Sequence, residues 1–137
     1  MRFERSELQS IEITEREFKQ ILPTICDAEI SKYPESWSPD NPLGGACVPV
    51  SLVAQRIFGG KLIRAELKDF PEFKFMRWHW ANLFGDKVKD FTKPQFGRNY
   101  PKEMFFIPRT PSSILRHEEV RDRYELLFGR LLHKIKE

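Results

Sequence analysis

The sequence predicts an α+β fold, with helices packed on one side of a small antiparallel sheet. Three observations carry this expectation. Two segments with helical spacing of apolar residues open the chain. A block of alternating segments divided by turn residues follows them. A long charged segment with one apolar face closes the chain. The length, 137 residues, is that of a single domain spanning 1–137.

The first helix is expected over 14–31. Thr14 and Glu17 have the spacing of a capping box. Phe18, Ile21, Leu22, Ile25 and Cys26 then recur at i, i+3, i+4, i+7 and i+8, one buried stripe that includes an inert thiol. Pro23 falls off the stripe and would bend the helix. Residues 33–46, "YPESWSPDNPLGGA", hold three prolines and two glycines and read as a loop. A second helix is expected over 47–58, with Pro49 in its first turn, Val50, Val53, Ala54 and Ile57 on its apolar face, and Gly59-Gly60 as its stop. "KLIRAEL" (61–67) and "FKFMRWHWANL" (73–83) alternate as strands. "FGDK" (84–87) is a turn signal and "KVKDFT" (87–92) a returning strand. "MFFIP" (104–108) reads as one more strand or a covering segment. The C-terminal stretch reads as one helix or two, with Val120, Tyr124, Leu127, Leu131 and Ile135 on a common face.

Composition sets the class. Hydrophobic residues make up 40% of the chain, and twelve Phe and three Trp are too many for a disordered one. The net charge of +3 is mild, and its signs are interleaved, as in "RHEEVRDRYE". A nucleic-acid binder concentrates one sign on one face, so that role is not favoured. Two cysteines are no disulfide framework. Arg2, Glu4, Arg5, Glu7, Glu12, Glu15 and Arg16 leave no room for a signal-peptide core, and no apolar run reaches membrane-span length. A soluble, reduced, cytoplasmic protein is expected, without membrane contact. No CxxC or HxxxH spacing suggests a metal, and no GxxxxGK[ST] or GxGxxG suggests a phosphate-bearing cofactor, so none is expected.

Cys47, His79 and Asp90 are the residues that could carry chemistry. The first turn of a helix bears partial positive charge and unpaired N–H groups, which stabilise a thiolate and can receive an oxyanion. Gly44 and Gly45 would let a substrate backbone come close to Cys47. A buried structural cysteine remains the alternative. In "MRWHWAN", alternation puts Met76, Trp78 and Trp80 on one face as core anchors, with His79 on the second face, away from that core. A plain surface histidine remains the alternative there. If Gly85-Asp86 is a two-residue turn, Phe84 pairs with Lys87 and Ala81 lies opposite Asp90. Asp90 is then the diagonal neighbour of His79, placed to orient its ring. Nucleophile, base and orienting acid are the parts of a thiol triad. His117 and His133 are read as solvated residues of the last helix.

"SWSPDNPLGGACVPVSLVAQRIFGGKLIRAEL" followed by "HWANLFGDKVKDFTKPQF" resembles the YunG-like family of small bacterial proteins, as does the closing "RDRYELLFGRL". The matching places include Cys47, His79, Asn82, Asp90, Thr92, Gln95 and Phe96. The resemblance implies a cysteine-peptidase-like core of papain/NlpC type with a Cys-His-Asp arrangement. This chain departs from the family pattern at Ala46, where the family tends to carry Gln. Asn41, Asn82 and Gly45 are then candidates for holding substrate or oxyanion. The expected activity is that of a cysteine-dependent hydrolase or acyl-transferase acting on an amide, isopeptide or thioester, with a peptide or protein among the candidate substrates. A catalytically inactive binding or regulatory module on the same fold is the alternative.

Overall fold

A computed structural model describes residues 11–137. The charged opening of the chain, residues 1–10, lies outside the described residues. The architecture is α+β: a four-stranded antiparallel sheet in the order β3-β2-β1-β4, with helices packed against it. Helix α1 spans Glu15–Ile25, α2 Cys47–Phe58, α3 Pro111–Leu115 and α4 Glu118–Lys136. The strands are β1 Lys61–Glu66, β2 Trp78–Phe84, β3 Lys87–Lys89 and β4 Phe106–Arg109.

Thr14 caps α1 as its sequence spacing requires. Its Oγ1 accepts from the Glu17 N–H, and the Glu17 carboxylate accepts from the Thr14 N–H. The helix stops at Ile25 rather than running to 31. Pro23 offers no N–H to the ladder, and Cys26 turns extended at φ −93°, ψ 132°. A turn closed by Ile30 N–H on the Asp27 carbonyl replaces the last expected helical turn. Phe18, Leu22, Ile25 and Cys26 are buried as expected. Burial pushes the Cys26 thiol up to about 12, which makes it an inert core group.

Helix α2 is the central pillar. Its first two turns are buried nearly all round, because it lies between the sheet on one side and α1 and α4 on the other. It ends where the glycine pair predicts, with Gly59 and Gly60 at φ 80° and 74°. Asn82 of β2 fixes its position. The Asn82 amide is fully buried and donates to the Ser51 carbonyl of α2 at 2.9 Å. On the far side of α2, Val120, Leu127, Phe128, Leu131 and Leu132 of α4 complete the core.

The hairpin register is the expected one. Phe84 faces Lys87, Leu83 faces Val88 and Asn82 faces Lys89 across the Gly85-Asp86 turn. β2 differs at its start, since Lys74–Met76 is a 3₁₀ turn and Arg77 sits at φ 62° before the strand begins at Trp78. β4 pairs with β1, so "MFFIP" supplies an edge strand. The second face of the sheet is closed, not open. Leu67, Met76 and Phe96, with Phe73, Tyr100 and Met104, fold back over it from the two long connections.

The Asn82–Ser51 bond joins sheet to pillar, and replacing it costs both a buried hydrogen bond and packing. Asn82→Ala is expected to lower stability by about 2 kcal/mol. Urea unfolding checks this as a lower midpoint at an unchanged slope.

Candidate active site

Asp90 leaves β3 just past its last paired residue and turns its carboxylate under the sheet, where the side chain is 5% exposed. Its Oδ2 takes hydrogen bonds from His79 Nε2 at 2.6 Å and from the Tyr100 hydroxyl at 2.7 Å. Its Oδ1 takes the Thr92 N–H at 3.2 Å and the Thr92 hydroxyl at 3.4 Å. Four donors converge on one carboxylate, which a buried anion requires.

His79 is completely buried. The expected open face is instead covered by Phe96, whose ring stands edge-on to the imidazole at 4.8 Å, and by Phe106 at 6.2 Å. With Nε2 held by Asp90, the second nitrogen, Nδ1, is buried and has no partner of strict hydrogen-bond geometry. Cys47 is nevertheless close enough to act on the ring through hydrogen bonding and charge. We read this as a loose contact on the Nδ1 side, since Nε2 is already taken. Burial pulls the imidazole toward neutrality, but the Asp90 hydrogen bond and the Cys47 side chain outweigh it. The ring's pKa rises from 6.5 to about 9.

Cys47 is the first residue of α2 and is 6% exposed. It lies on the wall of a groove of about 470 Å³ that also includes Tyr33, Arg64, Trp78, Trp80 and Val120. The helix start has no side-chain cap. The first intrahelical donor is Val50, which bonds the Ala46 carbonyl. Pro49 has no N–H, so the helix itself leaves the Cys47 and Val48 N–H groups unclaimed beside the sulfur. Trp80 is a core residue, whereas Trp78 is only half-buried and forms part of the groove wall. His117 is the N-cap residue of α4 and lines the same groove, while His133 is exposed on that helix.

The oxyanion candidates fall elsewhere. Asn82 is sealed and committed to Ser51, and the Asn41 amide donates to the Gln95 carbonyl at 3.1 Å. Gly45 belongs to the site, but as a backbone element. Its φ is 76°, and a Cβ there would collide with the Ser31 hydroxyl. Its N–H is taken by Gln95 Oε1 at 3.2 Å. Ala46, where the resemblance leads one to expect Gln, packs with Phe18 and Leu22 in the core and has no side-chain donor to offer.

Gln95, Thr92 and Tyr100 are the site residues whose roles the sequence left unread. Gln95 Nε2 donates to Thr92 Oγ1 at 2.9 Å while its oxygen holds Gly45. A chain of hydrogen bonds therefore runs from the loop before Cys47, through Gln95 and Thr92, to Asp90 and His79. The Asp90-x-Thr92 spacing was a readable signal, since an Asp side chain commonly bonds the N–H two residues on. Nothing in the local pattern marks Tyr100. Among the described residues, no cluster of three His, Cys, Asp or Glu stands together to hold a metal ion.

The model of a protein family described as YunG protein matches residues 14–136. No curated protein and no solved structure matches the chain.

The imidazolium favours the folded state below pH 6.5, and that contribution is lost as pH rises through about 9. The shift corresponds to roughly a few kcal/mol. Between pH 6.5 and 9 the wild-type protein is expected to lose stability, while His79→Gln shows a nearly flat profile. Chemical denaturation across that range checks it as the difference between the two proteins, since the Cys26 contribution that begins near pH 9 is common to both.

Proposed function

From its membership of the YunG family, and from the geometry around His79, we propose that this protein is a cysteine-dependent hydrolase or acyl-transferase with a papain/NlpC-type core. The observation that carries the reading is one imidazole tied on one side to a buried carboxylate and acted on from the other by a thiol at a helix mouth. The chain order of nucleophile on a helix, base on the neighbouring strand and acid just past the next strand fits such a core.

Cys47, as thiolate, attacks the carbonyl carbon of an amide or thioester, forming a C–S bond while the carbonyl electrons move to oxygen. The Cys47 and Val48 N–H groups receive that oxyanion. The His79 imidazolium gives its proton to the departing amine or thiol as the carbon–leaving-group bond breaks. An acyl-thioester on Cys47 remains. Water, or an acceptor amine, then attacks the thioester carbonyl as neutral His79 takes its proton; the C–S bond breaks, the acyl product leaves, and the Cys47 thiolate and His79 imidazolium are restored. Asp90 keeps the ring oriented and protonated, and Tyr100 and Thr92 keep Asp90 in place.

A second reading, a binding module without turnover, has its own observation. Cys47 is only 6% exposed, and Ala46 supplies no side-chain donor at the helix mouth.

The two readings part on acyl transfer. With p-nitrophenyl acetate, the enzyme reading expects Cys47 to gain an acetyl group, located by peptide mass mapping. His79→Ala is expected to slow that acylation about 10²–10⁴-fold. Acylation that ignores His79, or that never reaches Cys47, leaves the binding module.

A further inference from the structure

The groove that includes Cys47 has a cationic wall built by Lys32, Arg64 and Arg123. Arg64 of β1 lies with its guanidinium 3.7 Å above the Trp78 ring, inside the groove. Its Nε is buried and lacks a hydrogen-bond partner. Arg123, one turn into α4, lines the same groove from the helix side, and its Nε is likewise buried and unpaired. Among the described residues, neither arginine forms an ion pair.

More positive charge backs this wall. Arg109 sits on β4 opposite Leu62, which places it on the same sheet face as Arg64, and its Nε is also buried without a partner. Arg77 stacks on Trp78 from 5.4 Å. Burial, then repulsion from Arg109 and Arg77, pulls the Arg64 pKa down, and Glu66 offsets only part of this. Within the groove lining, Lys32, Arg64 and Arg123 face a single acid, Glu119.

Unpaired buried guanidinium donors are costly, and like charges gathered in one groove add to the cost. An anionic ligand with two acceptor oxygens offsets the gathered charge, because the exposed edge of a guanidinium matches a carboxylate or phosphate bidentately. The Trp78 and Trp80 faces supply an apolar floor beside it.

We propose that the Cys47 groove selects acyl substrates bearing an anionic group, a carboxylate or a phosphate, held by Arg64 from the sheet side and Arg123 from the helix side. This rests on reading Cys47 as the acyl acceptor, but the anion site itself does not need the thiol.

The test therefore uses the full chain carrying Cys47→Ser and follows tryptophan emission during titration. The probes are glutarate, its neutral counterpart glutaramide, and inorganic phosphate. A saturable response to glutarate or phosphate is expected, with none to glutaramide, and the tighter of the two names the anion. Arg64→Gln and Arg123→Gln, on different elements, are each expected to weaken binding about tenfold or more, and Arg64→Lys to recover part of it. Circular dichroism establishes that each variant is folded. Equal responses to glutarate and glutaramide, no saturable response to either anion, or affinities unchanged in both folded Gln variants would overturn the proposal. Because the serine variant cannot form a thioester, inert Cys47 chemistry leaves this result readable.

Discussion

The arrangement depends on one buried carboxylate. Asp90 is almost without solvent, so its charge must be met inside the protein, and four donors from three residues meet it. Each of the three residues constrains a different segment. Thr92 fixes the turn after β3, Tyr100 draws the following loop across the sheet, and His79 orients the central strand. A buried ion pair of this kind adds little net stability over an apolar core, since desolvation opposes the attraction. What it does here is set one ring in one orientation with one nitrogen left over.

The second constraint is the burial of α2. A helix whose first two turns are buried nearly all round has little room to tilt or slide, so its first residue is held where the surrounding layers put it. The Asn82–Ser51 bond sets its height against β2, and the Gly45–Gln95 bond sets the approach of the chain into its first turn. The chain is thus tied at two points, one on either side of Cys47. The helix mouth carries no side-chain cap, and it opens beside the sulfur. The arginines on the adjoining wall repeat that theme: donors without acceptors gather around one groove.

Much of this was legible in the sequence wherever local rules decide the outcome. The Thr14/Glu17 capping box, the limits of α2, and the two-residue turn that sets the β2–β3 register all depend on neighbours a few residues apart. Asp90 came within reach of His79 by parity counting alone. One misreading is local as well: helix α1 stops early because Cys26 turns extended and an Asp27 turn competes with the helix. The others have a cause of another kind. His79 is sealed because Phe96 and Phe106, from distant connections, fold over its face. Asn82 is a bolt because α2 presents a carbonyl to it. Such contacts depend on where long loops return, and periodicity in one segment does not encode that. The unpaired arginines were invisible for the same reason, because interleaved charge along the chain becomes a cationic wall only once β1, β4 and α4 are brought together.

The central claim is that Cys47 and Asp90 act on the same imidazole from its two nitrogens. Nuclear magnetic resonance titration of the His79 ring, in the wild-type protein and in Cys47→Ser, tests it most directly. The account predicts a ring that stays protonated through neutrality and titrates at about 9, and a clearly lower value once the sulfur is replaced. A ring that titrates at its ordinary 6.5 or below, or one indifferent to the Cys47→Ser change, would contradict it.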